Sequence, residues 1–135
     1  MKFYVVVGIA LLGGLSFLAC GDGDSCTTNV SLSKCILPLF NDDTNGCTGA
    51  GCHSGATPNS DLDLSQNLHA NMVNVKAKDG TNVYIVPGKP EESYLLTKMK
   101  ANPPAGGQMP IARTAFTTEQ LTMIETWIKE GALDN

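Results

Sequence analysis

The sequence predicts an all-α protein of about four short helices joined by long loops. Apolar residues recur at helical spacing in separate segments, and prolines and glycines are concentrated between those segments. A short run over residues 82–86 favours extended backbone and is closed by Pro87 and Gly88. The chain of 135 residues has the length of one domain, and its 42% hydrophobic content is enough for a core, which excludes a wholly disordered protein.

The first half of the chain predicts two helices. The first runs from about Ile36 to Asp43, because Pro38 is tolerated in the first turn of a helix and is costly later. The Asn-Gly pair at residues 45–46 ends it, and the next eleven residues, with three glycines, are expected to form a loop. A moderately helical apolar pattern over residues 66–75 predicts the second helix.

The third helix is predicted to begin at Pro90, which suits a first helical position. Glu91 and Glu92 then lie at the positive end of the helix dipole, and Lys98 and Lys100 lie at the negative end. The segment that follows contains three prolines and two glycines within eleven residues. It is therefore expected to be irregular.

The fourth helix has the clearest signals. Thr117 followed by Gln120 is the pattern of a capping box at a helix N-terminus. Leu121 and Ile124 begin an apolar stripe that continues along the segment, and Gly131 ends the helix.

Residues 1–19 are typical of a secretory signal peptide. The apolar run is too short and too rich in glycine for a membrane-spanning helix. Residues 17–20, Phe-Leu-Ala-Cys, resemble the lipobox of bacterial lipoproteins, which implies that Cys20 is lipidated and becomes the new N-terminus. An ordinary signal peptide that leaves Cys20 as a thiol is the alternative. Gly21 at the next position favours the outer membrane over the inner membrane.

Residues 20–34 are expected to form a flexible, lipid-anchored tether, and residues 35–135 the folded domain. The stretch after Cys20 is small and polar, as in a tether. Nine basic and thirteen acidic residues give a net charge of -4, which argues against binding to nucleic acid. No nucleophile–base pair or acidic dyad points to a hydrolytic enzyme.

Residues 47–53, with the sequence CTGAGCH, carry the chemical signal. Two cysteines, the second followed directly by His53, are the arrangement that attaches c-type haem: the thiols add to the porphyrin vinyl groups and the imidazole reaches the iron. Four residues separate Cys47 from Cys52, where two are common, so the extra residues must loop outward, which Gly49 and Gly51 make feasible. A Cys47–Cys52 disulfide beside a loop histidine is an alternative. A zinc site is a weaker one, because a convincing fourth ligand is lacking.

The order of the motifs along the chain resembles that of small monohaem c-type cytochromes, especially the domains of secreted and outer-membrane bacterial proteins. The resemblance covers about residues 35–133. Its motifs are LPLF at 37–40, CHSG at 52–55, LDLS at 62–65, VPGKPE at 86–91 with Tyr94-Leu95, QMP at 108–110, Trp127-Ile128 and EGA at 130–132. It implies a class I cytochrome c-like fold in which the four short helices pack around one covalently bound haem c.

The resemblance also implies that Met109 is the second axial ligand of the iron, since in this family a methionine followed by proline precedes the last helix. Met109 lies in the irregular loop, whereas Met72, Met99 and Met123 lie in predicted helices and are expected to fill gaps in the core. A bis-histidine haem that uses His69 is the alternative; otherwise His69 is a surface or core-edge residue.

The remaining cysteines suggest a disulfide. If Cys20 carries lipid and both Cys47 and Cys52 carry haem, Cys26 and Cys35 remain. We expect these two to pair, because oxidising compartments favour disulfides; two unpaired thiols are the alternative.

The implied function is electron transfer without catalysis. With both axial positions of the iron filled, no site is left for a small-molecule substrate. The expected role is that of a membrane-tethered shuttle in the bacterial cell envelope that docks weakly to redox protein donors and acceptors. Two other readings stay open: a haem-free, disulfide-stapled lipoprotein that acts as a binding or structural module, and a haem sensor or enzyme with an open iron position.

Overall fold

A computed structural model describes residues 26–135 of the chain. Its four α-helices are α1 (Leu37–Phe40), α2 (Leu68–Met72), α3 (Tyr94–Met99) and α4 (Thr118–Lys129). A π-helical turn, Leu32–Ile36, leads into α1, and 3-10 turns span Asn59–Asp61 and Pro90–Glu92. Across residues 26–135 there is no β-strand, and isolated bridges join residues 73 and 85, 76 and 83, and 83 and 93. The predicted all-α class with about four short helices and long loops agrees with this architecture.

The last helix, α4, forms as the sequence predicts. Thr117 Oγ1 accepts a hydrogen bond from the Gln120 N–H at 3.2 Å, and Gln120 Oε1 accepts one from the Thr117 N–H at 2.9 Å, which completes the capping box. Ile124, Trp127 and Ile128 are fully buried on one face of the helix. α4 packs on α3 and on the Leu32–Ile36 turn, so it supports both halves of the chain.

The first helical segment begins earlier than predicted, with the π-helical turn Leu32–Ile36, and ends earlier, with α1 at Phe40. The Ser31 side chain caps the π-helical turn, and Pro38 lies in the first turn of α1, where it is tolerated. The predicted end at Asp43 is wrong because Asp42 Oδ1 accepts hydrogen bonds from the Thr44 and Asn45 N–H groups at 2.8 and 3.1 Å. These two backbone bonds lower the pKa of Asp42 and hold residues 42–45 in a turn.

The second and third predicted helices are cut short by contacts that local patterns do not reveal. α2 does not reach Val75, because Val73 is extended and bridges to Ile85. The helix predicted from Pro90 breaks at Ser93, which is fully buried and extended. Ser93 Oγ donates a hydrogen bond to the Lys89 carbonyl at 2.9 Å and accepts one from the Val86 N–H at 3.0 Å. The buried hydroxyl finds both partners because the helix is interrupted at Ser93.

The last residues of the predicted tether over residues 20–34 pack against the domain in the structure, from Asn29 onward. Val30 and Leu32 are only 2% and 4% exposed. The N–H groups of Asn29 and Val30 each donate to the Glu130 carboxylate at 2.8 Å, just beyond the end of α4. Two apolar side chains and this carboxylate therefore draw the segment into the domain. The signal peptide and Cys20 lie outside the described residues.

A disulfide closes the N-terminal end of the folded part. Cys26 and Cys35 are joined, with their Cα atoms 5.8 Å apart, which is the pairing expected from the remaining cysteines. Cys35 is buried in the π-helical turn. The disulfide therefore fixes the start of the described chain to the helical turn on which α4 packs. No helix among residues 26–135 is long and apolar enough to cross a membrane.

Candidate functional site

Two cavities that share His53 and Met109 form the candidate site. The cysteine cavity, with a volume of about 300 Å³, is also lined by Cys47, Cys52 and Pro110. The tyrosine cavity, with a volume of about 440 Å³, is walled by Leu62, Tyr84, Tyr94, Leu95 and Lys98. Each volume lies in or near the range of 300–1,000 Å³ that is typical of cofactor and ligand pockets. The four residues that the sequence predicts for haem binding thus line one cavity.

The loop between the two cysteines bulges outward. The Cys47 N–H donates to the Phe40 carbonyl at 2.7 Å, which fixes Cys47 next to the end of α1. The His53 N–H donates back to the Cys47 carbonyl at 3.0 Å, so the chain returns to its starting point. Between them Ala50 and Gly51 are exposed, and Gly51 has a φ of +74°, a conformation that favours glycine. The extra residues therefore loop outward, as the spacing predicts, and both thiols reach the same cavity.

Arg113 braces this bulge from outside. Its Nη1 donates to the Asp43 carbonyl at 2.9 Å. A Cβ atom at Gly49 would lie 2.0 Å from the Arg113 guanidinium, so a larger residue there would displace the Arg113 side chain. Arg113 thus connects the turn after α1, the cysteine loop and the loop that follows Met109.

The two cysteines of the cavity are free thiols. Cys47 is buried and Cys52 is half-buried. Burial raises the pKa of Cys47 to about 12; the charge on Cys52 adds to the rise, and the Arg113 guanidinium opposes it. Cys47 is therefore a neutral thiol at physiological pH. The structure does not contain the alternative, a Cys47–Cys52 disulfide.

The zinc alternative gains no support from the described part of the chain. Within residues 26–135, no three side chains among histidine, cysteine, aspartate and glutamate converge in a way that could hold a metal ion. A haem iron with one histidine and one methionine ligand does not require such a cluster.

His53 is held in an orientation that suits a metal ligand. Its Nδ1 lies 3.0 Å from the Asn59 carbonyl, and with the proton on Nδ1 the lone pair of Nε2 is available. The His53 carbonyl also accepts from the Leu64 N–H at 2.8 Å, and the Asn59 N–H donates to the Cys52 carbonyl at 2.8 Å. A hydrogen bond from the second ring nitrogen to a backbone carbonyl is what metal-ligating histidines usually make.

The methionines fall into the two groups that the sequence predicts. Met72 and Met99 are buried in the core, and Met123 packs against it. Met109 also packs, partly buried, against the core, but it lies in the loop before α4 and lines both cavities. Its N–H donates to the Lys98 carbonyl at 2.8 Å, which ties the loop to the last turn of α3.

The structure does not bring His69 to the candidate site. His69 lines a separate cavity beside α2, and its Nε2 lies 3.0 Å from the Ala132 carbonyl. It is a core-edge residue, which agrees with the expectation of a surface or core-edge histidine. The bis-histidine alternative therefore lacks a second histidine near His53.

Sequence reasoning did not single out several walls of the tyrosine cavity. Leu62, Tyr94 and Lys98 line it beside His53 and Met109. Leu62 and Tyr94 belong to motifs that carry the family resemblance, so a closer reading of those motifs could have found them. The sequence analysis explains Lys98 by the helix dipole alone, and no local pattern indicates that it also lines the cavity.

Comparison of this chain with protein-family models, with curated proteins and with solved structures finds no match. The chemistry of the site must therefore be judged from its own residues. Two free thiols, an imidazole with one nitrogen held and a thioether line one cavity, and apolar and aromatic side chains wall the adjoining space. This set of donors fits a covalently attached haem.

Proposed function

We propose that this protein is a class I-like c-type cytochrome that transfers electrons and is not an enzyme. One haem c would be attached through Cys47 and Cys52, with His53 and Met109 as the axial ligands. The observation that carries the proposal is that these four side chains, from two distant parts of the chain, line a single cavity. The motif order along the sequence supports the same conclusion.

The residues of the chain have distinct tasks in this proposal. Haem c, when bound, supplies an iron that changes between the ferrous and ferric states. Cys47 and Cys52 would hold it covalently, and the Asn59 carbonyl would keep His53 in the tautomer that can ligate. The soft sulfur of Met109 would favour the ferrous state and raise the reduction potential relative to a second histidine. Apolar and aromatic contacts to the macrocycle would come from Leu62, Tyr84, Tyr94 and Leu95.

Electron transfer follows from the two axial ligands. If His53 and Met109 both held the iron, no position would be left for oxygen or a substrate; the sensor and enzyme alternatives would require Met109 to stay unbound. The haem-free alternative leaves Cys47 and Cys52 without a task, since the structure has them as free thiols. The partners in the proposal are redox proteins, which dock through small and transient interfaces.

The proposed location is the bacterial cell envelope, outside the cytoplasm. The signal-like segment and the lipobox-like residues predict an anchor on Cys20, with the outer membrane favoured. The Cys26–Cys35 disulfide agrees with an oxidising compartment. A lipid anchor would restrict the protein to a membrane surface, where its redox partners are encountered.

The visible spectrum with and without carbon monoxide tests the proposal. The protein, matured in a host with the cytochrome c assembly machinery, should show the bands of a covalent haem, and the ferrous form should not bind carbon monoxide readily. Met109→Ala should open the iron and allow binding, whereas Met123→Ala, which removes a methionine packed against the core, should not. A colourless protein would support the haem-free alternative. Wild-type protein that binds carbon monoxide as readily as Met109→Ala would support the sensor or enzyme.

A further inference from the structure

Lys98 holds the loop that carries Met109. Its Nζ donates to the carbonyls of Ala105 and Gly107, the latter at 2.8 Å. Its own backbone carbonyl accepts from the Met109 N–H at 2.8 Å. One residue at the end of α3 therefore contacts the loop on both sides of Gln108.

The loop is curled around the ammonium group. Gly106 has a φ of +64°, and a Cβ atom there would lie 3.4 Å from Lys98 Nζ. The Gln108 side chain adds a further tie, since its Nε2 donates to the Met99 carbonyl at 2.9 Å. Three side-chain hydrogen bonds therefore join the loop to the last turn of α3: two from Lys98 Nζ and one from Gln108 Nε2. The bond from the Met109 N–H to the Lys98 carbonyl is a fourth. This segment has no helix or strand of its own, so these bonds are what define its path.

We propose that Lys98 is a positioning residue for Met109, a role that rests on the proposed function. Hydrogen bonds from an ammonium group are stronger than neutral ones, and two of them fix the backbone immediately before the methionine. A methionine side chain has three rotatable bonds and a weakly binding sulfur. Because the loop is ordered in advance, less conformational entropy is lost when the sulfur binds iron, and the ligand is retained.

Three variants separate positioning from a general structural effect. Lys98→Met keeps the aliphatic stem and removes the donors, and Lys98→Gln is a second variant whose shorter side chain cannot bridge both carbonyls. Lys98→Arg retains a cation with several donors and should restore the wild-type behaviour. Lys100→Met is the matched control, since Lys100 lies two residues away and pairs with Glu125 at 3.5 Å instead of with the loop.

Two readouts are measured on the matured protein. The far-red charge-transfer band of the ferric form reports the bond between sulfur and iron, and carbon monoxide binding reports an open ferrous position. Lys98→Met should weaken the band and admit carbon monoxide. Hydrogen exchange across residues 105–109 reports the loop itself and should rise about tenfold or more when the charged donor is lost. Lys98→Arg and Lys100→Met should match the wild type in all three measurements.

The outcomes distinguish this role from the proposed function. If the wild type carries haem and shows the charge-transfer band, and both Lys98→Met and Lys98→Gln leave the band and the exchange unchanged, the role of Lys98 is overturned while the cytochrome stands. If the wild type carries haem without that band, Met109 is not the ligand and the role is again overturned. If no haem is attached, both proposals fail together.

Discussion

Replacing Gln120 should destabilise the protein more than the loss of a helix cap explains. Gln120 Oε1 accepts two hydrogen bonds at 2.9 Å, one from the Thr117 N–H and one from Asn45 Nδ2. Asn45 is 5% exposed and stands two residues before Cys47. The Gln120 side chain therefore joins the start of α4 to the loop that holds Cys47 and Cys52.

The magnitude follows from these contacts. Thr117→Ala removes only the cap and should cost about 1 kcal/mol of unfolding free energy. Gln120→Ala removes the reciprocal bond of the capping box and also leaves the buried Asn45 amide without this acceptor, which costs about 1–3 kcal/mol more. The total is about 2–4 kcal/mol. At roughly 4 °C for each kcal/mol in a domain of this size, the melting temperature should fall by about 8–16 °C, against about 4 °C for Thr117→Ala.

Thermal and denaturant unfolding of the matured protein measure this difference. Gln120→Glu keeps an acceptor for both donors and should stay close to the wild type. A double-mutant cycle of Gln120→Ala with Asn45→Ala should give a coupling energy of about 1–2 kcal/mol. The reasoning is refuted if Gln120→Ala costs no more than Thr117→Ala, or if the cycle shows no coupling.

Three further predictions concern the sulfur atoms. The denatured mature protein should contain no free thiol before reduction and two after it, Cys26 and Cys35, by thiol titration; titration of Cys47 and Cys52 as well would contradict the thioethers. Cys26→Ser with Cys35→Ser should lower the unfolding free energy by roughly 2–3 kcal/mol in denaturant, because a ring of about ten residues is opened, and an unchanged value would contradict this. As a free thiol, Cys47 has a pKa raised from 9.0 to about 12, so it would contribute to stability below pH 9. That contribution, on the order of 4 kcal/mol, would disappear as pH rises toward 12. A thioether at Cys47 removes this contribution, whereas Tyr84, whose pKa burial also raises, contributes with or without haem. The unfolding free energy should therefore fall less at alkaline pH in the matured protein than in the protein without haem, and an equal fall would indicate an unmodified thiol.

The parts of the fold that the sequence predicted well are those set by neighbouring residues. The capping box at Thr117 and Gln120 is a contact within one turn, so its pattern sufficed to place the start of α4. The interruption at Ser93 was missed because a buried hydroxyl must find its partners, and one of them is the N–H of Val86. Burial of Val30 was missed because its partner, Glu130, lies a hundred residues away in sequence.

The candidate site divides in the same way. Cys47, Cys52 and His53 stand out in the sequence because the haem attachment that we propose for them needs the three residues close together in the chain. Met109 could be selected from the other methionines because its surrounding prolines and glycines exclude a helix. The hydrogen bonds from Lys98 to the loop before Met109 depend on how that loop folds back over α3. No spacing of residues in the sequence encodes that path.

Intact-mass determination of the mature protein, purified from a host that assembles c-type cytochromes, is the most direct experiment on the covalent cofactor. The account predicts a mass that exceeds the processed, lipidated polypeptide by one haem, with the added mass on the peptide that contains Cys47 and Cys52. A mass explained fully by the amino acids and the lipid would contradict it.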